Sequence, residues 1–346
     1  MQALGWILHC RAGAEQTLAA EAVAAARQRG VHGYCRARPG SAYVLFIAPA
    51  GDAPWPPPLV FARSAALLIE ERTGLPAGGR AEAVAAELPP ALGGAEPWVE
   101  HPDSDAGRPL ARFCRRFSGA ARRALADTGA WAGDPQRRIR LLFPDSSHAL
   151  IGVGAAAEPP MGIPRLRMPK RAPSRSVLKL EEAFHRLVPE AERPCAGERA
   201  VDLGAAPGGW SWLMRQRGAR VIAVDNGPLA AGLGDDPGVE HLRRDAFRYH
   251  PPAPVDWLLC DVVDRPQGVA RLMLRWLRAG HCRAALFNLK LPMRRPLETV
   301  QRTLRALEAT GAEVRAGQLY HDREEVTVYA RRRRRPPFEA RPKGLR

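Results

Sequence analysis

The sequence predicts an α/β protein in two parts, the larger being a mostly parallel, doubly wound sheet in the C-terminal half. Three observations lead there. From about residue 176 to 334, short apolar runs alternate with amphipathic helical stretches, as strands joined by crossover helices do. The last two strands have no helix between them, which predicts an antiparallel edge hairpin. A Pro-, Arg- and Lys-rich stretch, Pro159 to Pro173, cannot continue a helix or a central strand and separates this half from what precedes it.

Residues 4–50 read as a small α/β unit. Trp6–Cys10 is an apolar run of strand length, Glu15–Arg29 carries Leu18, Ala22, Val23 and Ala26 at helical spacing, and Ala42–Ile47 is a second strand. Pro54 to Pro58 breaks the chain. A second small unit follows, with the run Leu59–Arg63, a helix at Arg80–Leu88 and a strand at Trp98–Glu100. Residues 108–127 form a basic amphipathic helix, with Leu110, Phe113, Phe117 and Ala121 on one stripe and Arg108, Arg112, Arg115, Arg116, Arg122 and Arg123 around it. Its basic face is either solvated surface or a track for phosphates. In the second half the pattern predicts helix Val177–Leu187, strand Arg199–Leu203, helix Gly209–Arg217 and strand Arg220–Val224. After an irregular stretch come strand Val255–Asp261, helix Gly268–Arg278, strand Ala284–Leu289, helix Leu297–Thr310 and strands Ala312–Leu319 and Val326–Ala330.

With 52 Lys and Arg against 36 Asp and Glu, the 346-residue chain carries a net charge of +16. A polyanionic partner is expected, and nucleic acid is preferred to a membrane surface. No apolar run approaches the roughly 20 residues of a spanning helix, and the N-terminus has no export-signal pattern. The six cysteines are scattered without a CxxC pair. That argues against zinc and a disulfide framework and for a reducing, cytoplasmic setting.

In a doubly wound sheet, ligands bind outside the carboxyl ends of the strands. Asp202 and Gly204 close the first strand of this half, and the loop continues Ala205-Ala206-Pro207-Gly208-Gly209-Trp210. Glycine there lets a ligand approach the backbone closely. Asp225 ends the next strand, roughly 20 residues on, where an acid can bind both ribose hydroxyls of a nucleoside. Asp245 follows Leu242-Arg243-Arg244, and Asp261 follows Trp257–Cys260. Pro207 interrupts any GxGxxG, and a row of acids repels phosphates while tolerating a sulfonium cation. S-adenosylmethionine therefore fits better than a dinucleotide.

The acceptor chemistry is narrowed by what stands near the fourth strand. Base-amine methylation calls for a D/N-P-P-aromatic sequence, and here the chain reads Cys260-Asp261-Val262-Val263. Carbon methylation of a pyrimidine calls for a nucleophilic cysteine, and Cys260 reads as a buried strand residue. Lys290, in Phe287-Asn288-Leu289-Lys290-Leu291-Pro292-Met293, stands at the same rim as Asp261. A ribose 2′-hydroxyl needs a base to remove its proton, and a lysine serves only when neutral, which a neighbouring cation such as Lys179 would favour. Asp261 and Glu325 would oppose that while orienting both amines.

Long and uncommon segments then carry a resemblance over nearly the whole chain. Ser174–Glu182, the glycine loop, Val224–Pro228, Asn288–Met293 and Tyr320–Val326 closely resemble the bacterial RlmM family of 23S ribosomal RNA cytidine 2′-O-ribose methyltransferases. More distantly they resemble the FtsJ/RrmJ-like methyltransferases. Phe113–Phe117 and Met161–Leu166 extend the likeness into the first half.

The resemblance implies a Rossmann-like class I methyltransferase sheet over residues 176–335 that uses S-adenosylmethionine without a metal. It implies a catalytic set of Lys179, Asp261, Lys290 and Glu325, with Lys290 the proton acceptor. Donor contacts are implied at Ser176, Ala206, Pro207, Gly208, Gly209, Asp225, Asp245 and Asp261, beside Gly204. Ala206 stands where some relatives have a cysteine, at a position that acts through its backbone. Ahead of the sheet it implies a ferredoxin-like α/β subdomain at 1–58, a THUMP-type RNA-binding domain at 59–158 and a basic linker at 159–175, with a basic tail at 336–346. Arg331–Arg335 reads as a solvated extension of the last strand. The implied substrate is a cytidine in the peptidyl-transferase region of 23S ribosomal RNA, naked or early in assembly, acted on by a cytoplasmic monomer. Two alternatives stay open: a non-catalytic RNA-binding assembly factor, and an RNA base methyltransferase.

Overall fold

The computed structural model describes residues 3–48 and 58–332. Pro54 to Pro57, Arg333 to Arg335 and the basic tail lie outside the described residues. The rest divides into two compact units: the described residues up to Arg167 with Gly317–Arg323, and Met168–Ala316 with the residues from Glu324 on. No described helix is long and apolar enough to cross a membrane.

The first unit is built on one seven-stranded sheet. Its elements are β1 (Gly5–His9), α1 (Glu15–Arg27), β2 (Tyr34–Ala37), β3 (Tyr43–Ile47), β4 (Ser64–Arg72), α2 (Arg80–Ala85), β5 (Ala95–Glu100), α3 (Leu110–Asp127), β6 (Arg137–Asp145) and β7 (His148–Ala155). The strand order is β2-β3-β1-β4-β7-β6-β5. β1 lies between β3 and β4, antiparallel to both, with Trp6 opposite Phe46 on one side and Leu67 on the other. Strands from residues 1–58 and 59–158 thus share one ladder.

The first unit departs from the sequence reading in its strands: the run Leu59–Arg63 forms none, and β2, β4 and the β6–β7 hairpin are additional to those the sequence predicts. In β6 the arginines at 137, 138 and 140 hide the apolar pattern, yet Ile139, Leu141, Leu142 and Phe143 are fully buried, and so is Arg140. Its guanidinium reaches Ser64 Oγ at 3.2 Å and Glu158 Oε2 at 3.1 Å, which offsets the cost of burying it. α3 packs on the sheet through Phe113 and Phe117. These rings stack at 5.4 Å and each makes a T-shaped contact with Phe143, at 5.1 and 5.2 Å.

The second unit follows α4 (Ser176–Arg186), β8 (Arg199–Leu203), α5 (Gly209–Gln216), β9 (Arg220–Val224), β10 (Val239–Leu242), β11 (Val255–Cys260), α6 (Pro266–Ala279), β12 (Cys282–Lys290), α7 (Pro296–Glu308), β13 (Ala312–Gly317) and β14 (Glu325–Arg332). The sheet order is β10-β9-β8-β11-β12-β14-β13. β10 to β12 run parallel through β9, β8 and β11, and β14 is antiparallel to β12. This is the doubly wound sheet with an antiparallel edge that the sequence predicts. β10 lies in the stretch read as irregular; its Val-Glu-His-Leu is too short and polar to stand out. The crossovers on either side of β10, residues 225–238 and 243–254, contain no helix.

Register sets up the rim. Leu203 is level with Val224 and Cys260, and Cys260 with Phe287. The residues that follow them, Gly204, Asp225, Asp261 and Asn288, therefore share one edge, at the point where strand order reverses between β8 and β11.

Candidate active site

The glycine loop is held by packing that leaves no room for side chains. Gly204 has φ +76°, and a Cβ there would lie 2.5 Å from Val262 Cγ1. Gly208, at the start of α5 with φ +107°, would meet Leu233 Cδ2 at 2.2 Å, and Gly209 would meet Ser176 Oγ at 2.3 Å. Ser176 is fixed to the same loop: its carbonyl accepts the Trp210 indole N–H at 2.9 Å, and its hydroxyl lies 2.7 Å from that of Ser174. Asp225 closes the loop from the neighbouring strand, accepting the N–H of Ala206 at 3.0 Å and of Gly227 at 2.7 Å. Pro207 lies between, after a cis peptide bond. Asp245 instead caps its own turn, accepting the Phe247 N–H at 2.8 Å, with Arg248 3.6 Å away. No hydrogen bond joins it to the loop among the described residues.

At the other side of the reversal point, four charged side chains from four elements converge. Lys290 and Glu325 face each other across β12 and β14 as a register pair, and Glu325 is buried. Each oxygen of its carboxylate accepts one ammonium: Oε1 that of Lys179, from α4, and Oε2 that of Lys290. Asp261 lies beside both, 3.5 Å from Lys179 Nζ and 4.0 Å from Lys290 Nζ. Burial alone would raise the Glu325 pKa, but the hydrogen bonds from the two lysines outweigh it and hold the carboxyl below its ordinary value.

Two residues the sequence reading did not single out complete the array. Asn288 donates its amide to Asp261 Oδ1 at 2.8 Å, and Thr327 donates its hydroxyl to Asn288 Oδ1 at 2.8 Å. They form the register pair two positions inward from Lys290 and Glu325, so the period-2 alternation of strands puts both pairs on one face. That spacing was the available signal.

Asp202 proves to be a buried acid rather than a surface ligand. It accepts the Ser211 hydroxyl at 2.7 Å, and burial, with the nearby charge of Asp261, pushes its pKa up to about 7 against that hydrogen bond. Cys260 is fully buried, and burial pushes its thiol up to about 12. A thiol so held is a poor nucleophile at neutral pH, which weighs against carbon methylation through it.

Residues 172–275 match the model of the FtsJ-like methyltransferases, and residues 1–53 that of the RlmM ferredoxin-like domain. The ribosomal RNA large subunit methyltransferase M of Halorhodospira halophila is 72% identical over 96% of this chain and 98% of its own. The chain belongs to the ribosomal RNA large subunit methyltransferase M family. Members of that family from Alkalilimnicola ehrlichii and Xanthomonas oryzae are 48% and 43% identical, over 94% and 95% of this chain and 94% and 99% of theirs. The FtsJ-like match takes in Lys179, the glycine loop and Asp261 but ends before Lys290 and Glu325. The family M relatives span those positions too.

Proposed function

We propose that the protein transfers a methyl group from S-adenosylmethionine to the ribose 2′-hydroxyl of a cytidine in the peptidyl-transferase region of 23S ribosomal RNA. The observation that carries this reading is the sharing of one buried carboxylate, Glu325, by Lys179 and Lys290 with Asp261 alongside. RNA binding alone has no use for such an array, which weighs against a non-catalytic assembly factor.

The residues at the rim suit the donor. The glycine loop presents backbone where any Cβ would collide, and Asp225 ends the adjacent strand with its carboxylate tied to that loop. Asp225 and Asp261, ionised at the same rim, favour a positive ligand over a phosphate-bearing one. When bound, S-adenosylmethionine supplies the methyl electrophile on its sulfonium.

Lys290, held as an ammonium by Glu325 at rest, first releases a proton to solvent. The free amine then accepts the proton of the 2′-hydroxyl and becomes an ammonium again on Glu325. Lys179 occupies the other oxygen of that carboxylate and fixes its orientation. Asn288 and Thr327 hold Asp261 in place. Methyl transfer neutralises charge, so excluding water from the site assists it.

Replacing Lys290 with Met is expected to abolish methylation of a 23S transcript while donor affinity, measured by calorimetry, stays near wild type. Undiminished turnover would remove Lys290 from this role. The product should resist alkaline cleavage beside the modified nucleotide. A labelled product that is still cleaved there would point to base methylation instead.

We further propose that the first unit is a THUMP-containing RNA-binding region acting ahead of the methyltransferase sheet, and that the enzyme works in the cytoplasm as a monomer. Support for the RNA contact comes from α3, where Arg112, Arg115, Arg116 and Arg123 are exposed.

A further inference from the structure

We infer that the trough along α6 is a binding site for the phosphodiester backbone of the RNA strand that flanks the target nucleotide. The inference rests on the reading of the protein as an RNA methyltransferase. The trough has a volume of about 1050 Å³ and is lined by Arg265, Arg271, Arg275 and Arg278, with Phe247 opposite. It lies wholly within the methyltransferase unit.

Its origin is topological. The crossover from β10 to β11, residues 243–254, lacks the helix that usually fills such a connection. The irregular chain forms one wall instead, anchored where Tyr249 packs 6.4 Å from Trp276 of α6 and where the Arg275 guanidinium donates to the Phe247 carbonyl. α6 buries Val269, Leu272, Met273, Trp276 and Leu277 and turns its arginines outward.

The charge pattern fits a repeated anion. Arg271, Arg275 and Arg278 recur at four- and three-residue steps, so they share one face, and Arg265 precedes them at the helix start. Arg265, Arg271 and Arg278 are exposed, and none has an ion-pair partner among the described residues. Asp264 is the one acid in the lining, and it accepts the backbone N–H of Arg265. From Arg265 to Arg278 the row extends about 20 Å at 1.5 Å per residue. That length exceeds any single small anion and matches several successive phosphates. The row also begins four positions after Asp261, so a strand seated on it leads away from the reacting rim.

The test uses the full chain, a 23S transcript and the double variant Arg271→Ala/Arg278→Ala, which leaves the Arg275 bond intact. RNA affinity by filter binding should fall about ten-fold at moderate salt. The slope of log affinity against log salt should shrink by about 1.4, the counterion release of two single-strand phosphate contacts. Donor affinity and kcat at saturating RNA should hold, with KM for RNA raised. Arg271→Lys/Arg278→Lys should restore most of the slope. An unchanged affinity and slope would overturn the inference, and so would weaker binding with an unchanged slope. A wild type that binds the transcript but never methylates it would sink the functional reading while leaving the trough to be judged on the binding ratio.

Discussion

Glu325 holds two ammonium groups on one buried carboxylate, so Glu325→Gln removes the partner of both at once. Its pKa is held below the ordinary value of about 4.3 for a glutamate. The stability it contributes is therefore present above that ordinary value and is lost as pH falls through the lower folded-state value. The Tm gap between wild type and Glu325→Gln should be wide at pH 6 and narrow progressively below pH 4, and a gap independent of pH would contradict this. Asp202 has the opposite sign. With its pKa pushed up to about 7, the folded protein keeps a proton that the unfolded chain releases from about pH 4 upward, so stability falls as pH rises towards 7. Asp202→Asn, which keeps the hydrogen bond from Ser211, should flatten that slope in thermal melts. Lys179, Asp261, Lys290 and Glu325 were legible in the sequence because charges at strand ends and in long motifs stand out. Asn288 and Thr327 were not, since a buried amide and hydroxyl look unremarkable until register pairs them.

Among the elements, the loop between β8 and α5 has little freedom. Gly204→Ala must adopt a left-handed backbone at a cost of about 1–2 kcal/mol and also displace Val262. A lower Tm and at least a ten-fold loss of donor affinity by calorimetry are expected. A variant that binds donor normally would show that the loop can relax. Elements with clean apolar periodicity were read to within a few residues: β8 and β9 match their predicted bounds, and α4, α5 and α6 shift by one or two. Two of the failures share a cause. β6 hides apolar residues among arginines that the sheet then buries or pairs, and β10 is four residues long with two polar side chains. In both, tertiary contacts decide what local pattern does not.

For the whole molecule, the decisive fact is that the chain leaves the methyltransferase unit at Gly317 and returns at Glu324. Within the first unit this short segment is well tied down: Gln318 donates to the Val60 carbonyl at 2.7 Å, Arg11 to the Asp322 carbonyl at 2.8 Å, and Leu319 and Asp322 are buried. Deleting residues 1–150 would strip these partners. Lost activity in such a truncation would then not isolate RNA binding, and substitutions on α3 are the cleaner probe. A discontinuous unit also predicts one calorimetric unfolding transition for the full chain, with calorimetric and van't Hoff enthalpies in agreement. Two resolved transitions would show that the units unfold independently.

The insertion of β14 between β12 and β13 also has a consequence for the newly made chain. Synthesis delivers β12, α7 and β13 before β14 exists, so the nascent protein must hold open the edge of β12 that its last described strand will occupy. An open edge invites pairing with other chains, and during that interval Lys179 and Lys290 have no Glu325 to share. The enzyme is assembled, and the edge sealed, by the same eight residues.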